Sequence, residues 1–272
     1  MLIDSKRLNI SLNHSDPRLF VTCQWQRDKN IPNRNYLIYR WIFALYFNFV
    51  VILSLITAEH DKNLVLYPIF LTNWNVILNG VSSLLSAIIV TQYFFKVTKI
   101  DNDLNYMPTS LKTSWLLSTL STVFATSLSI IYWPLIYTGK DKGLNDALTH
   151  AVNAILLTID LFINAHPPRY CHFVQNLFFG LCYALFSVIY TFCGGLNRSN
   201  EPFIYSVLNW KYETSSATLF AFLTLIFLIL MHCVLTSCIH LRIWIHKKLC
   251  DRKLPKRAND DNGGINNTAY DV

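Results

Sequence analysis

Long apolar runs separated by short polar segments dominate the chain between residues 36 and 239. A helix needs roughly 20 mostly apolar residues to cross the hydrocarbon core of a bilayer, and six runs reach or approach that length. The pattern therefore predicts an all-α, six-span transmembrane helix bundle. The predicted spans are Tyr36–Ala58, a segment within Leu64–Phe95, Ser114–Tyr137, Ala147–Ala165, Phe173–Cys193 and Ala217–Ile239.

The amino-acid composition also indicates a membrane protein. Hydrophobic residues make up 53% of the 272 residues and charged residues only 14%, whereas a soluble domain carries about 25% charged residues. The charges concentrate in the termini and the connecting segments, which excludes an ordinary soluble globular domain. We therefore divide the chain into a cytoplasmic N-terminal segment (1–35), a six-helix transmembrane domain (36–241) and a cytoplasmic tail (242–272). The tail is first basic and then polar, a composition typical of disorder.

The distribution of Lys and Arg predicts the orientation of the bundle. With six spans and a cytoplasmic N-terminus, the cytoplasmic segments contain seventeen basic residues and the opposite loops contain five. Because cytoplasmic loops carry the excess of Lys and Arg in membrane proteins, both termini are predicted to face the cytoplasm. The first 35 residues are polar, so the first span is predicted to be a retained insertion signal rather than a cleaved one.

The tail holds seven of the 23 basic residues in a chain whose net charge is +7. The sequence "HLRIWIHKKLCDRKLPKR" directly follows the sixth span, and each basic residue near a membrane surface gains about 1 kcal/mol from anionic lipid. We therefore predict that membrane lipids, anionic ones above all, are partners of the tail. No nucleic-acid recognition motif accompanies the charge.

The seven cysteines show no metal or disulfide spacing, so no cofactor or metal is predicted. Cys171 and Cys250 are juxtamembrane candidates for palmitoylation.

The predicted fourth span carries strongly polar side chains on one face. On a helical wheel of about 100° per residue, four of them fall within one narrow arc: His150, Asn153, Asp160 and Asn164. Lipid makes such groups costly, so this face should point into the bundle or into a water-filled cavity. Asp160 should pair with a group from another helix or remain protonated. Arg40 lies one turn into the first span, close enough to the interface for its side chain to snorkel into water.

A second polar stripe follows one face of the predicted second span. Its members recur every three or four residues and carry amide or hydroxyl groups: Thr72, Asn75, Asn79, Ser83 and Ser86. We expect the two stripes to face each other, with Thr72 and His150 near the outer leaflet because each follows closely after an outer loop. Two interpretations remain open. Such side chains can join helices at about 0.6 kcal/mol per contact without any chemistry, or they can form a functional site.

Several short segments resemble the rolling stone family of multispan membrane proteins. They are "CQWQRDK" near the N-terminus, "THAVNAILLTID" in the fourth span and "YTFCGGLNRSNEPFIYSVLNWKYE" before the last span. In that family a Gly-Gly pair closes a helix and an "IYPVLDW"-like element precedes the last span; here Ser206 replaces the proline and Asn209 the acid. The family takes its name from a role in myoblast fusion. The resemblance therefore implies a membrane protein that acts in cell–cell fusion, with an unknown protein partner and with the plasma membrane favoured over an endomembrane as its location.

A more distant resemblance runs to the androgen-induced family of membrane hydrolases. Those enzymes cleave fatty acid esters of hydroxy fatty acids with a threonine and a histidine from separate spans. Their "FLTF" and "HTTVLPFILIE" segments resemble "FLTNWN" and "HAVNAILLTID" in this chain. This second resemblance implies that Thr72 is a nucleophile, that His150 is its base and that Asp160 supports them, with a lipid ester as substrate. A neutral imidazole beside a hydroxyl can supply the activation that such a nucleophile needs.

Two functions therefore remain open: a non-enzymatic role in fusion and an intramembrane lipid-ester hydrolase. A transporter is less favoured, because the sequence shows neither an internal repeat nor a pair of Gly- or Pro-broken helices. The sequon "NRS" at Asn197 lies in a predicted outer loop and is a candidate glycosylation site.

Overall fold

The protein is a bundle of α-helices, as its apolar runs predict. The structure, a computed structural model, describes residues 10–95, 107–136 and 143–253. Its α-helices in these ranges are α1 (Arg34–His60), α2 (Leu71–Phe94), α3 (Thr109–Ile131), α4 (Gly143–Asp146), α5 (Asn153–Ile163), α6 (Phe173–Phe192) and α7 (Thr214–Lys253).

Five of the described helices are long and apolar enough to cross a membrane. They correspond to the first, second, third, fifth and sixth predicted spans. The predicted fourth span is the shorter apolar helix Ala147–Ile163, so the number of crossings stays a prediction. Helix α7 continues through the predicted boundary at residues 241 and 242 and ends at Lys253, so the first part of the predicted tail is helical.

Two helical segments widen locally into π-helix. One covers Tyr132–Ile136, after α3, and contains Pro134, whose ring and missing N–H are incompatible with a regular helix interior. The other covers Ala147–Val152 and joins α4 to α5. Such turns are rare and frequently occur at functional sites.

The described N-terminal segment folds across one end of the bundle. Phe20 is buried in a cluster with Trp115 at the start of α3, and the indole Nε1 of Trp25 donates a hydrogen bond of 2.8 Å to the carbonyl oxygen of Phe162 at the end of α5. The Trp25 ring also lies 5.6 Å from that of His246, late in α7. The described residues nearest both chain ends therefore meet at one end of the bundle, which we call the termini end.

The opposite end, which we call the far end, brings the start of α2 together with the end of α6 and the start of α7. Tyr183, Trp210 and Ala217 form a buried cluster there. Helix α6 ends at Phe192, and Gly194 follows with a φ of 81°, a backbone conformation that glycine adopts without strain. The Gly-Gly pair thus closes a helix, as the family resemblance implies.

Glycosylation would test the predicted orientation, because Asn197 lies in the loop after α6 at the far end. We expect a band shift that is sensitive to a glycosidase and that disappears in Asn197→Gln, since only an outward-facing loop meets the transferase. Asn13→Gln, at the termini end, serves as the control and should keep the shift. A shift that survives Asn197→Gln and is traced to Asn9 or Asn266 would reverse the orientation.

Candidate functional site

Two adjoining cavities at the far end have four lining residues in common. One cavity, of about 80 Å³, is almost entirely apolar; the other, of about 630 Å³, has both polar and apolar walls and is the more polar of the two. The residues that line both are Thr72, Tyr132, His150 and Tyr205. The structure thus brings Thr72 and His150 to one place, the junction between an apolar and a polar chamber.

Both π-helical segments contribute to this junction. The rings of Tyr132 and His150 stack face to face, with centroids 3.6 Å apart and planes 7° from parallel. The Tyr132 hydroxyl donates a hydrogen bond of 2.7 Å to Oδ2 of Asp146, which is only 8% exposed. Sequence reasoning missed Tyr132 and Asp146. The available signal was weak: Asp146 lies one helical turn before His150, just outside the predicted span.

Thr72 is positioned by the start of α2 and by a loop tyrosine. The backbone N–H of Leu71, the first residue of α2, donates a hydrogen bond of 3.1 Å to the Tyr205 hydroxyl, which also hydrogen-bonds to the Thr72 side chain. Burial raises the pKa of Tyr205, so its hydroxyl remains protonated and able to donate. The first N–H groups of a helix carry partial positive charge, so this end of α2 favours negative charge near Thr72.

Asp160 lies in a different place, in a buried ion pair. Its carboxylate is 2.9 Å from Nη1 of Arg40 and accepts hydrogen bonds from the Tyr39 hydroxyl at 2.9 Å and from Nδ2 of Asn164 at 3.2 Å. Of the two alternatives expected for Asp160, pairing with another helix or protonation, the structure shows the pairing. Asp160 lines neither of the two far-end cavities, so nothing in the described geometry links it to His150.

The expectation that Arg40 snorkels to the interface is wrong. The Arg40 side chain is 3% exposed, and its Nε donates a hydrogen bond of 2.9 Å to the Tyr36 hydroxyl. A buried cation is tolerated only when it is paired and hydrogen-bonded, and Asp160 with Tyr36 satisfies this condition. The pair lies 120 residues apart in sequence, so no local pattern indicates it.

The polar stripe of α2 faces this ion pair more than it faces His150. Asn79, Ser83 and Ser86 line a small cavity of about 10 Å³ together with Arg40 and Asp160. Among the described residues, neither amide atom of Asn79 has a hydrogen-bond partner. A cavity of this size holds about one water molecule, and a water there would satisfy the amide. The stripe beyond Thr72 is therefore best explained by packing and hydration.

Arg242 belongs to the fold rather than to a lipid-binding tail. Its side chain is 0% exposed and donates hydrogen bonds to the carbonyl oxygens of Leu161 and His166, each at 2.7 Å, and to Oδ1 of Asn164 at 3.1 Å. Cations stabilise helix C-termini because they interact with the last carbonyl groups. Lys247 and Lys248 are exposed and remain predicted lipid contacts, as do Arg252 and Lys253 in the last turn of α7, whereas Lys256 and Arg257 lie outside the described part of the chain. No described contact bears on acylation of Cys171 or Cys250.

These features define a polytopic helical membrane protein with an amphipathic double cavity at one end. A family model described as "Protein rolling stone" matches residues 3–254, and the chain belongs to the rolling stone family. The Drosophila melanogaster protein named "Protein rolling stone" is 30% identical over 216 residues, which cover 76% of this chain and 77% of the relative. No solved structure matches the chain. The predicted family is thus confirmed, and neither match supports the more distant resemblance to the androgen-induced hydrolases.

Proposed function

We propose that this protein acts at the plasma membrane in cell–cell fusion of the myoblast type. Membership of the rolling stone family over residues 3–254 carries this proposal, together with the five apolar helices of the described chain.

A cell-mixing assay tests this role. Two populations of fusion-competent cells that carry different cytoplasmic dyes should mix less when both lack the protein, and re-expression of the full chain should restore mixing. Surface biotinylation of the same cells measures the amount at the plasma membrane. Normal mixing without the protein, or restored mixing by a version held inside the cell, would contradict the proposal.

A second candidate function is hydrolysis of a lipid ester, and the shared junction of the two cavities favours it. The apolar chamber lined by Phe124 and Leu228, of about 80 Å³, would take the first carbons of an acyl chain, and the larger chamber beside Arg198 would take a polar group. The ester between them would then lie at Thr72 and His150. Amphipathic substrates of this kind partition into the bilayer and reach a cavity within the helical bundle.

The chemistry proposed for this site is acyl transfer through Thr72. The His150 imidazole takes the proton from Thr72 Oγ1, which attacks the ester carbonyl carbon and forms an acyl–threonine ester. The alcohol leaves with the proton that His150 returns, and water then releases the fatty acid by the same sequence in reverse. The N-terminus of α2 would favour the negative charge that develops on the carbonyl oxygen.

We expect Thr72→Ala and His150→Ala each to reduce lipid-ester hydrolysis by at least about 100-fold, with no further loss in the double variant. A nucleophile and its base act as one unit, so their effects are not additive. The measurement is release of fatty acid from an ester of a hydroxy fatty acid by the purified full chain. Thr91→Ala, at the other end of α2, is the matched control and should retain activity. Additive losses of activity in the double variant, or a wild-type protein that does not hydrolyse the ester, would contradict the hydrolase hypothesis and leave fusion as the single proposal.

A further inference from the structure

A second polar cleft, unrelated to the junction at Thr72, opens at the termini end between α3, α5 and α7. Its volume is about 50 Å³. Hydroxyl and amide groups line much of it, and apolar side chains of α5 and α7 complete the walls. The polar lining residues include Thr119, Thr122, His166, Arg169, His172 and His232.

Two histidines of this cleft have an unusual hydrogen-bonding state. His166 is 6% exposed and His172 is 1% exposed. One ring nitrogen of His166 bonds to the backbone of Phe20, and one of His172 bonds to the backbone of Ser11. The other nitrogen of each ring, Nε2, is buried and has no hydrogen-bond partner in the described ranges. By contrast, both ring nitrogens of neighbouring His232 have partners, Nδ1 the Asn176 amide and Nε2 the carbonyl oxygen of Arg169.

The bonds of His166 and His172 to backbone fix what their Nε2 atoms can do. A backbone carbonyl takes the N–H of each ring, so the neutral imidazole presents an Nε2 lone pair to the cleft. A buried acceptor without a donor destabilises the folded state, because it has lost its hydrogen bond to water. Two such acceptors in one cleft therefore call for a ligand or solvent that carries hydrogen-bond donors.

The charge around the cleft limits which donors fit. Burial, followed by the positive charge of Arg40, lowers the pKa of His166 to about 3, so this ring stays neutral. Arg169 lines the cleft directly, with its guanidinium 5.7 Å from the Trp115 ring, and fully buried Arg242 bonds to the His166 carbonyl. Ammonium groups and metal ions would meet repulsion from these cations. Neutral hydroxyl groups avoid that repulsion. If they belong to an anionic molecule, the same cations attract it.

We propose that this cleft binds a polyol phosphate, that is, a phosphate ester whose free hydroxyl groups donate to Nε2 of His166 and His172 while its phosphate pairs with Arg169. The phosphoglycerol and phosphoinositol headgroups of membrane lipids have this chemistry, and so do the corresponding soluble esters. Guanidinium groups form charge-assisted hydrogen bonds with phosphate, and Arg169 would make them in addition to the bond that its Nη2 donates to the carbonyl oxygen of Asn13 at 3.0 Å. The threonine hydroxyls of α3 offer further acceptors. Leu235 and Ile239 of α7 supply an apolar wall for a lipid chain.

Lipid-dependent thermal stabilisation of the full chain in detergent micelles tests this site. Phosphatidylglycerol and phosphatidylinositol should bind at least about fivefold more tightly than phosphatidylserine, since one additional hydrogen bond is worth about that factor. All three lipids carry the same net charge, so contacts with the exposed basic residues of α7 do not produce the difference. Equal binding of the three lipids would overturn the proposal and assign the cleft to water alone.

Substitutions in the cleft test where the lipid binds, and competition with soluble phosphate esters tests whether the ligand is a membrane lipid or a soluble ester. His172→Phe keeps an aromatic ring against Trp115, 4.5 Å away, but removes the acceptor, and Arg169→Gln removes the phosphate partner; each should abolish the preference. His60→Phe, which replaces an exposed histidine at the far end, should keep it. A preference that survives in both cleft variants would place binding elsewhere and overturn the site. Displacement of the lipid by millimolar glycerol 3-phosphate or inositol 1-phosphate would show that the headgroup alone suffices, whereas an undisplaced preference assigns the ligand to the bilayer.

Discussion

Replacing Arg40 with leucine should lower the free energy of unfolding by about 3–5 kcal/mol, the usual cost of removing one partner of a buried ion pair. The variant leaves the Asp160 carboxylate, 5% exposed, without its cation inside the bundle. It also removes the donor to the Tyr36 hydroxyl. In detergent, the melting temperature of the purified protein should fall by roughly 10 °C.

The double variant Arg40→Leu with Asp160→Leu separates the ion pair from simple packing loss. Because two well-packed apolar residues can replace a buried pair at little cost, the double variant should melt well above the Arg40→Leu protein. Arg34→Leu, an exposed arginine on the same helix, controls for a general effect of lost charge. A double variant that melts as low as the single one would mean that Arg40 acts through contacts other than Asp160.

Arg242→Met should produce the second large effect, a loss of about 2–4 kcal/mol. The methionine keeps most of the apolar stem but removes charge-assisted hydrogen bonds to Leu161, Asn164 and His166, each worth about 1.5–3 kcal/mol before relaxation. The segment that follows α5 should loosen, because these bonds join it to α7.

The Arg242 variant is checked by thermal melting and by the rate at which a maleimide labels Cys23, which is half-buried beside Asn164. Melting should fall and labelling should accelerate. Lys247→Met changes an exposed basic residue of the same helix and should leave both quantities unchanged. If Arg242→Met and Lys247→Met had the same melting temperature and labelling rate, the structural role of Arg242 would be contradicted and a lipid-facing role, like that of its basic neighbours, would be favoured.

The helices follow from sequence because hydrophobic length is a local property. Thr72 and His150 were also placed together from the sequence, since helical face and depth are set by a few neighbouring residues. The stack of His150 on Tyr132 was not, because it depends on how two separate π-helical segments meet. Only the packed fold determines such a contact.

The positions of charged side chains were the least predictable from the sequence, because they too depend on the packed fold. Arg40 lies near a predicted interface and Arg242 within a basic run, and both patterns are typical of residues that face water or lipid headgroups. Their burial depends on Asp160 and on the carbonyl groups at the end of α5. These partners lie about 120 and 80 residues away in the chain, beyond the range of any local pattern.

The order of synthesis gives the folded N-terminal segment a further importance. Trp25 leaves the ribosome early, yet its contacts are Phe162 and His246, which are made much later. The segment therefore reaches its final position only after nearly all of the helices have been inserted. A chain that stops before α7 lacks the His246 partner of Trp25, so this end of the bundle closes only after α7 has been made.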